Sequence, residues 1–125
     1  MEMKILLDTN AIISLLKNEG NLLETISKAS AVYISVISEL EFFSFSRLMA
    51  NDINLFRKFL KRISVIDLKQ SDLKLMDKVI EVRKNYHLKL PDAIIVASAI
   101  TNNAVLISQD KELSKVKELS LNNWT

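Results

Sequence analysis

The sequence predicts an α/β fold: a central parallel sheet of four to five strands with helices packed on both faces. Four short runs rich in apolar and β-branched residues, Lys4-Ile5-Leu6-Leu7, Val32-Tyr33-Ile34-Ser35-Val36, Ser64-Val65-Ile66-Asp67-Leu68 and Ala104-Val105-Leu106-Ile107-Ser108, alternate with segments of helical periodicity. Strands separated by helices are joined by right-handed crossovers and therefore run parallel. One Gly and one Pro in 125 residues fit long regular elements with short joints.

The first run is too short for a helix and stops abruptly at Asp8-Thr9-Asn10 before Ala11-Ile12-Ile13-Ser14-Leu15-Leu16. It reads as a buried strand feeding a helix, with Asp8 at the strand's carboxyl end. That edge of an open parallel sheet is where ligands bind. Asp8 is also a good N-cap, so alone it does not decide between structure and chemistry. Lys17-Asn18-Glu19-Gly20 is a stop signal, with Gly20 suited to a left-handed C-terminal residue. A second helix follows from about Asn21, with Asn21 and Glu24 at capping-box spacing and Leu22, Leu23 and Ile26 as its apolar stripe. The second strand ends near Ile37-Ser38, where Ser38-Glu39-Leu40-Glu41 opens a third helix running to about Met49. A break at Asn51-Asp52 precedes a fourth helix from Ile53 to Arg62. All five phenylalanines fall in this hairpin. At about 100° per residue Phe42, Phe45 and Met49 share a face from which Leu40 and Phe43 point away. The hairpin is thus either a local aromatic core or a surface for a partner.

After the third strand, Ser71 reads as a cap for a helix over residues 72–86 with Leu73, Met76, Val79 and Ile80 on one side. Leu90-Pro91-Asp92 starts another helix, with Pro in the first turn where its missing N–H is harmless. Its body, Ala93 to Ile100, is apolar nearly all round and predicts a central buried helix. The fourth strand stops at Gln109-Asp110, and a short helix and a last strand around Leu119–Leu121 follow.

Composition excludes several classes. With 49% hydrophobic and 26% charged residues the chain is a folded globular domain, read as a single domain over 1–125. The stretch from Ala93 to Ile100 is far too short for a membrane span and no basic leader precedes the first strand, which predicts a soluble, cytoplasmic protein. Absence of cysteine removes disulfide frameworks and thiolate metal sites. A net charge of +2 does not by itself mark a nucleic-acid binder. No Gly-rich turn follows the first strand, against dinucleotide binding. Asn10 stands where an aspartyl-phosphate transferase needs a second acid, and a receiver-type module needs two acids before the first strand ends.

Four acids stand just past a strand or at a helix start: Asp8, Glu41, Asp92 and Asp110. In a parallel sheet all four reach the same carboxyl edge. Each has a structural use, because Ser38-x-x-Glu41 has capping-box spacing and Asp92 and Asp110 suit helix N-termini. Together they are harder to dismiss. Carboxylates within about 5 Å of one another repel by some kcal/mol per pair at an effective dielectric near 20, and a cation relieves that. All-oxygen donors suit a hard ion, Mg²⁺ or Mn²⁺, and His87, the only histidine, makes zinc a poor fit.

Asp8-Thr9-Asn10, Ser38-x-x-Glu41, Leu90-Pro91-Asp92-Ala93 and Ser108-Gln109-Asp110, in this order along essentially the whole chain, resemble the motifs of PIN-domain ribonucleases, in particular the VapC-like toxins of toxin–antitoxin pairs. The resemblance implies a three-layer α/β/α sandwich with strand order 3-2-1-4-5 and a metal-dependent endoribonuclease. It implies Asp8, Glu41, Asp92 and Asp110 as the acidic metal ligands, with Asn10 and Ser108 as polar helpers. The chain departs from the pattern in having Ser38 and Ser108 where Thr is common, and Gln109 where a basic residue or Asn often stands. Bound Mg²⁺ or Mn²⁺ lowers the pKa of a water and neutralises the phosphodiester. The expected products carry 3′-hydroxyl and 5′-phosphate ends. The implied partners are substrate RNA, a second copy in a homodimer, and an antitoxin that lays a segment on the hairpin and a cation into the acids. Candidate phosphate contacts are Arg47, Arg57, Lys58, Lys61, Arg62, Arg83, Lys84 and Lys89. The competing reading is a catalytically inactive PIN-like module that binds RNA or protein.

Overall fold

A computed structural model describes residues 3–124; the expected domain over 1–125 also takes in residues 1, 2 and 125, which lie outside the described residues. The elements in chain order are β1 (Lys4–Leu7), α1 (Thr9–Leu16), α2 (Leu22–Ser27), β2 (Ala31–Ser35), α3 (Val36–Phe43), α4 (Ala50–Leu60), β3 (Ser64–Ile66), α5 (Leu73–Tyr86), α6 (Leu90–Thr101), β4 (Val105–Ile107), a 3₁₀ turn (Lys111–Lys115) and β5 (Leu121–Asn122). The strands form one parallel sheet in the order β3-β2-β1-β4-β5. Because side chains alternate across a strand, Leu6 and Leu106 face the layer containing α5 and α6, while Ile5, Leu7, Ile34 and Ile107 face the layer containing α1, α3 and α4. The predicted α/β/α sandwich and its strand order are therefore present. As its composition predicts, α6 is the central helix, with Ala93 to Ala99 buried. Among the described residues no helix is long and apolar enough to cross a membrane.

Several local predictions need correction. The left-handed residue that ends α1 is Asn18 (φ 56°), not Gly20. Asn18 N–H donates to the Leu15 carbonyl and Glu19 N–H to that of Ser14, the paired bonds of a Schellman motif, and Gly20 (φ 64°) serves the following turn. In α2, Glu24 pairs with Lys28 instead of closing a capping box, and Leu23 is exposed. The third helix begins at Val36, because the Ser35 hydroxyl accepts from Ile37 N–H and caps it three residues ahead of Ser38. It ends at Phe43, where the Ser44 hydroxyl donates to the Leu40 carbonyl, so Phe45 and Met49 lie beyond it. The fourth helix starts early, at Ala50, because the Asp52 carboxylate accepts from Met49 N–H. On α5 the buried stripe is Leu75, Val79 and Val82, capped by Asp72 rather than Ser71, and Leu73 and Ile80 face outward. A periodic pattern containing both sets of residues cannot say which of two adjacent stripes meets the sheet.

The phenylalanines form the local aromatic core that was one of the two alternatives. Phe56 is fully buried, with its ring centroid 4.1 Å from that of Phe42 and 5.2 Å from that of Phe43. Phe45, 43% exposed, sits at its rim. Phe56→Ala should therefore cost about 3–5 kcal/mol of stability, whereas Phe45→Ala should cost under about 1 kcal/mol. Urea unfolding of both variants checks this, and equal losses would refute the assignment of Phe56 to the core.

Candidate active site

In the order β3-β2-β1-β4-β5 the crossovers leave β1 in opposite directions, and a crevice opens at its carboxyl end. Asp8 stands there. Its backbone N–H donates to the Ile107 carbonyl of β4, and its carboxylate Oδ1 accepts from Ala11 N–H at 2.8 Å, capping α1. The structural use and the candidate chemical use of Asp8 thus coexist in one side chain. Glu41 comes from α3, Asp92 from the first turn of α6, and Asp110 from the turn after β4, where its Oδ1 accepts from Glu112 N–H at 3.0 Å.

All four carboxylates line one cleft of about 90 Å³ together with Thr9, Asn10, Ile95 and Leu113. Asn10 is exposed at its rim. Ser108 is buried beneath it, accepting from Asp110 N–H at 3.1 Å while its hydroxyl is directed to Asp8. The six residues singled out in the sequence therefore do meet. The expected tight cluster does not form: among the described residues no three carboxylate or imidazole groups are drawn together as an ion-holding set. Like charges in a partly buried cleft stand off from one another.

Burial pushes the Asp8 carboxyl above its ordinary range; the Ser108 hydroxyl and Ala11 N–H pull it back down, and the charges of Asp110 and Asp92 raise it again. Asp92 is raised by burial first, then by Asp110 and Glu41, against a lowering effect of Lys89. Both acids are thus in environments that disfavour their own charge, and a bound cation would reverse this. In chemistry, though not in spacing, the donors suit such an ion. They are all oxygen, Glu41 and Asp110 each have one carboxylate oxygen engaged and the other open, and Asp92 receives no hydrogen bond from the described residues.

One residue of the cleft was not anticipated. The Thr9 hydroxyl donates to Glu41 Oε1 at 2.6 Å and lies 3.1 Å from the hydroxyl of fully buried Ser38. A hydroxyl has one proton, so the carboxylate takes that of Thr9 and Ser38 donates in turn to Thr9 Oγ1. Ser38 and Glu41 lie one turn apart on the same face of α3, so the spacing mistaken for a capping box instead grips the loop after β1. Thr9 holds Glu41 over the cleft. Neither periodicity nor charge marks a threonine for this role, and only its place beside Asp8 could have pointed to it.

A family model for the PIN domain matches residues 5–119. The chain belongs to the PIN-domain family. Several solved structures resemble this PIN-domain chain along its length. A chain of the VapBC2 complex from Rickettsia felis, solved bound to a promoter DNA fragment, is 24% identical with a TM-score of 0.82, covering 98% of this chain and 100% of that one. A chain of a toxin–antitoxin complex from Klebsiella pneumoniae is 25% identical, TM-score 0.76, covering 92% and 94% respectively. A chain of VapBC-1 from nontypeable Haemophilus influenzae is 24% identical, TM-score 0.76, covering 98% of both. No curated protein is similar enough in sequence to count as a relative.

Raised carboxyl pKa values have a definite sign in stability. The folded state holds the Asp8 proton to higher pH than the unfolded chain does, so this group favours folding least once pH has risen past its raised pKa. Asn keeps the acceptor oxygen for Ala11 but carries no charge. Metal-free Asp8→Asn should therefore melt a few degrees above the wild type at pH 7, with the gap closing below the ordinary carboxylate range. Calorimetric melting across pH tests this, and a variant less stable at pH 7 would contradict it. Thr9→Val should strip Ser38 of its partner, destabilising the fold by about 1–3 kcal/mol and weakening Mn²⁺ binding, while Thr9→Ser should restore both. Denaturant unfolding and calorimetric Mn²⁺ titration measure the pair; a Val variant matching the wild type would remove Thr9 from the site.

Proposed function

We propose that the chain is a metal-dependent endoribonuclease of a single domain, the toxin component of a toxin–antitoxin pair, working in the cytoplasm. The observation that carries this reading is the meeting of Asp8, Glu41, Asp92 and Asp110 around one cleft in a PIN-domain chain. Its likeness to chains solved within toxin–antitoxin complexes supports the biological assignment.

In this reading the four carboxylates hold Mg²⁺ or Mn²⁺, which when bound activates a water and neutralises charge on the scissile phosphodiester. The protein's own groups do the positioning. Asp8, anchored by Ala11 N–H and oriented by Ser108, is the principal ligand. Thr9 keeps Glu41 facing the cleft, and Asn10 at the rim offers an amide to the RNA. Lys89 stands at the N-cap position of α6, close enough for its charge to act on Asp92, which makes it the best placed of the candidate phosphate contacts. Arg57 lies 5.6 Å from the Phe43 ring centre, and Arg47 lines a different cleft, so both are better explained by the hairpin. His87, exposed at the left-handed end of α5, has no part in the chemistry. Products carry 3′-hydroxyl and 5′-phosphate ends.

The antitoxin is assigned to an apolar cleft of about 250 Å³ between α1 and the hairpin, lined by Ile13, Leu16, Phe42, Phe45 and Leu48 with Arg47 at its edge. Phe56 is buried, and of the exposed rings Phe43 and Phe45 it is Phe45 that lines this cleft and serves as the anchor. A homodimer completes the proposal, supported by exposed Leu73, Ile80 and Leu90 away from that cleft.

Purified protein should cut single-stranded RNA with Mn²⁺ and stop with chelator. Asp92→Asn should lower the rate at least a hundredfold with its circular dichroism unchanged, and Asp67→Asn, on the surface, should match the wild type. Electrophoresis of end-labelled RNA reads both. Mn²⁺ binding without cleavage would identify a non-catalytic PIN-like module instead.

A further inference from the structure

Beside the acidic cleft, and sharing Asp110 with it, runs an open groove of about 360 Å³ between the turn after β4 and the end of β5. Its polar side chains are held in set orientations by bonds to the backbone. Gln109 Nε2 donates to the Trp124 carbonyl at 3.1 Å, and Trp124 is itself packed into the core, so the amide is anchored and its Oε1 remains an open acceptor. Asn122 Oδ1 accepts from Asn123 N–H at 2.9 Å, which leaves both hydrogens of its Nδ2 available. The Ser114 hydroxyl spends its proton on the Lys111 carbonyl at 2.7 Å and keeps its lone pairs. Lys111 forms no ion pair with the described residues. The groove therefore presents a fixed donor, fixed acceptors and a cation, none of which the fold uses.

A donor and an acceptor within one groove are what a nucleobase edge requires, and Asn and Gln amides supply both kinds of group. We propose that this groove holds the base of the nucleotide next to the scissile phosphate. Gln109 Oε1 and Asn122 Nδ2 read the base's hydrogen-bonding edge, and Lys111 takes a neighbouring phosphate. Asp110 lines both, so a strand with its phosphate at the acids passes its adjoining base over Asp110 into the groove. This rests on the nuclease reading and adds to it a base preference at one position flanking the cut. Phosphate contacts alone confer no such preference.

Asn122→Asp separates the possibilities, because the carboxylate still accepts from Asn123 N–H but replaces the donor with an acceptor. Short RNAs differing only in the bases flanking one cut site should show a preferred base with the wild type. The variant should lose roughly tenfold in kcat/KM for that base and far less for the others. In metal-free protein, titration with the four nucleoside 5′-monophosphates should shift the side-chain amide NMR signals of Gln109 and Asn122, most for the preferred base. Should the protein cut no RNA while these amides still respond selectively, the nuclease reading fails and the nucleobase groove stands. Should RNA be cut with an unchanged base preference, or with a loss uniform across bases, and the amides stay still, the proposal is overturned. Response of the same signals only to an antitoxin peptide overturns it as well, making the groove a protein-contact surface.

Discussion

The central strand β1 is buried on both faces, with Ile5, Leu6 and Leu7 wholly out of solvent, and it lies between β2 and β4 at the point where the crossovers diverge. Its carboxyl end therefore has a fixed position and an open crevice above it. The residue that emerges there is an aspartate. Every other part of the candidate site is placed relative to that strand end. Ile107 accepts the Asp8 backbone N–H and brings Ser108 and Asp110 alongside, Ser35 starts α3 so that Glu41 faces the loop, and buried α6 presents Asp92.

Keeping charge in that crevice is unfavourable without a cation, since burial and mutual repulsion raise Asp8 and Asp92. The fold tolerates this by giving several acids a local donor: Ala11 N–H for Asp8, the Thr9 hydroxyl for Glu41, Glu112 N–H for Asp110. These bonds hold the carboxylates apart and still leave open oxygens toward the cleft. Stability of the empty site and capacity for an ion are thus opposed, a conflict expected where function rather than folding selects the residues.

Much of this was legible in the chain. Short β-branched runs separated by helical patterns were enough for a parallel sheet, and acids placed just after a strand or at a helix start were enough to bring Asp8, Asp92 and Asp110 to one edge, which Glu41 reaches instead from the last turn of α3. Strand order came from the resemblance, because pairing between distant strands leaves no local mark. Helix boundaries misled where Ser residues compete: Ser35, Ser38 and Ser44 can each cap or end a helix, and only tertiary packing decides which does. The outward turn of Leu73 and Ile80 was hidden because α5 carries apolar residues on two adjacent stripes. Thr9 and Asn122 were missed for a different reason. Thr9 acts through a partner 32 residues away, and the part proposed for Asn122 turns on an amide held by its neighbour; no periodicity encodes either.

The central claim is that four carboxylates from separate elements act as one ion site at the end of β1. Paramagnetic broadening of backbone amide NMR signals by substoichiometric Mn²⁺ tests it directly, because broadening falls steeply with distance from the ion. The signals of Thr9, Asn10, Ala11, Glu41, Asp92 and Asp110 should vanish first and together, while those near the surface acids Glu24 and Asp67 persist. Broadening centred on the surface acids, with the loop after β1 unaffected, would contradict the account.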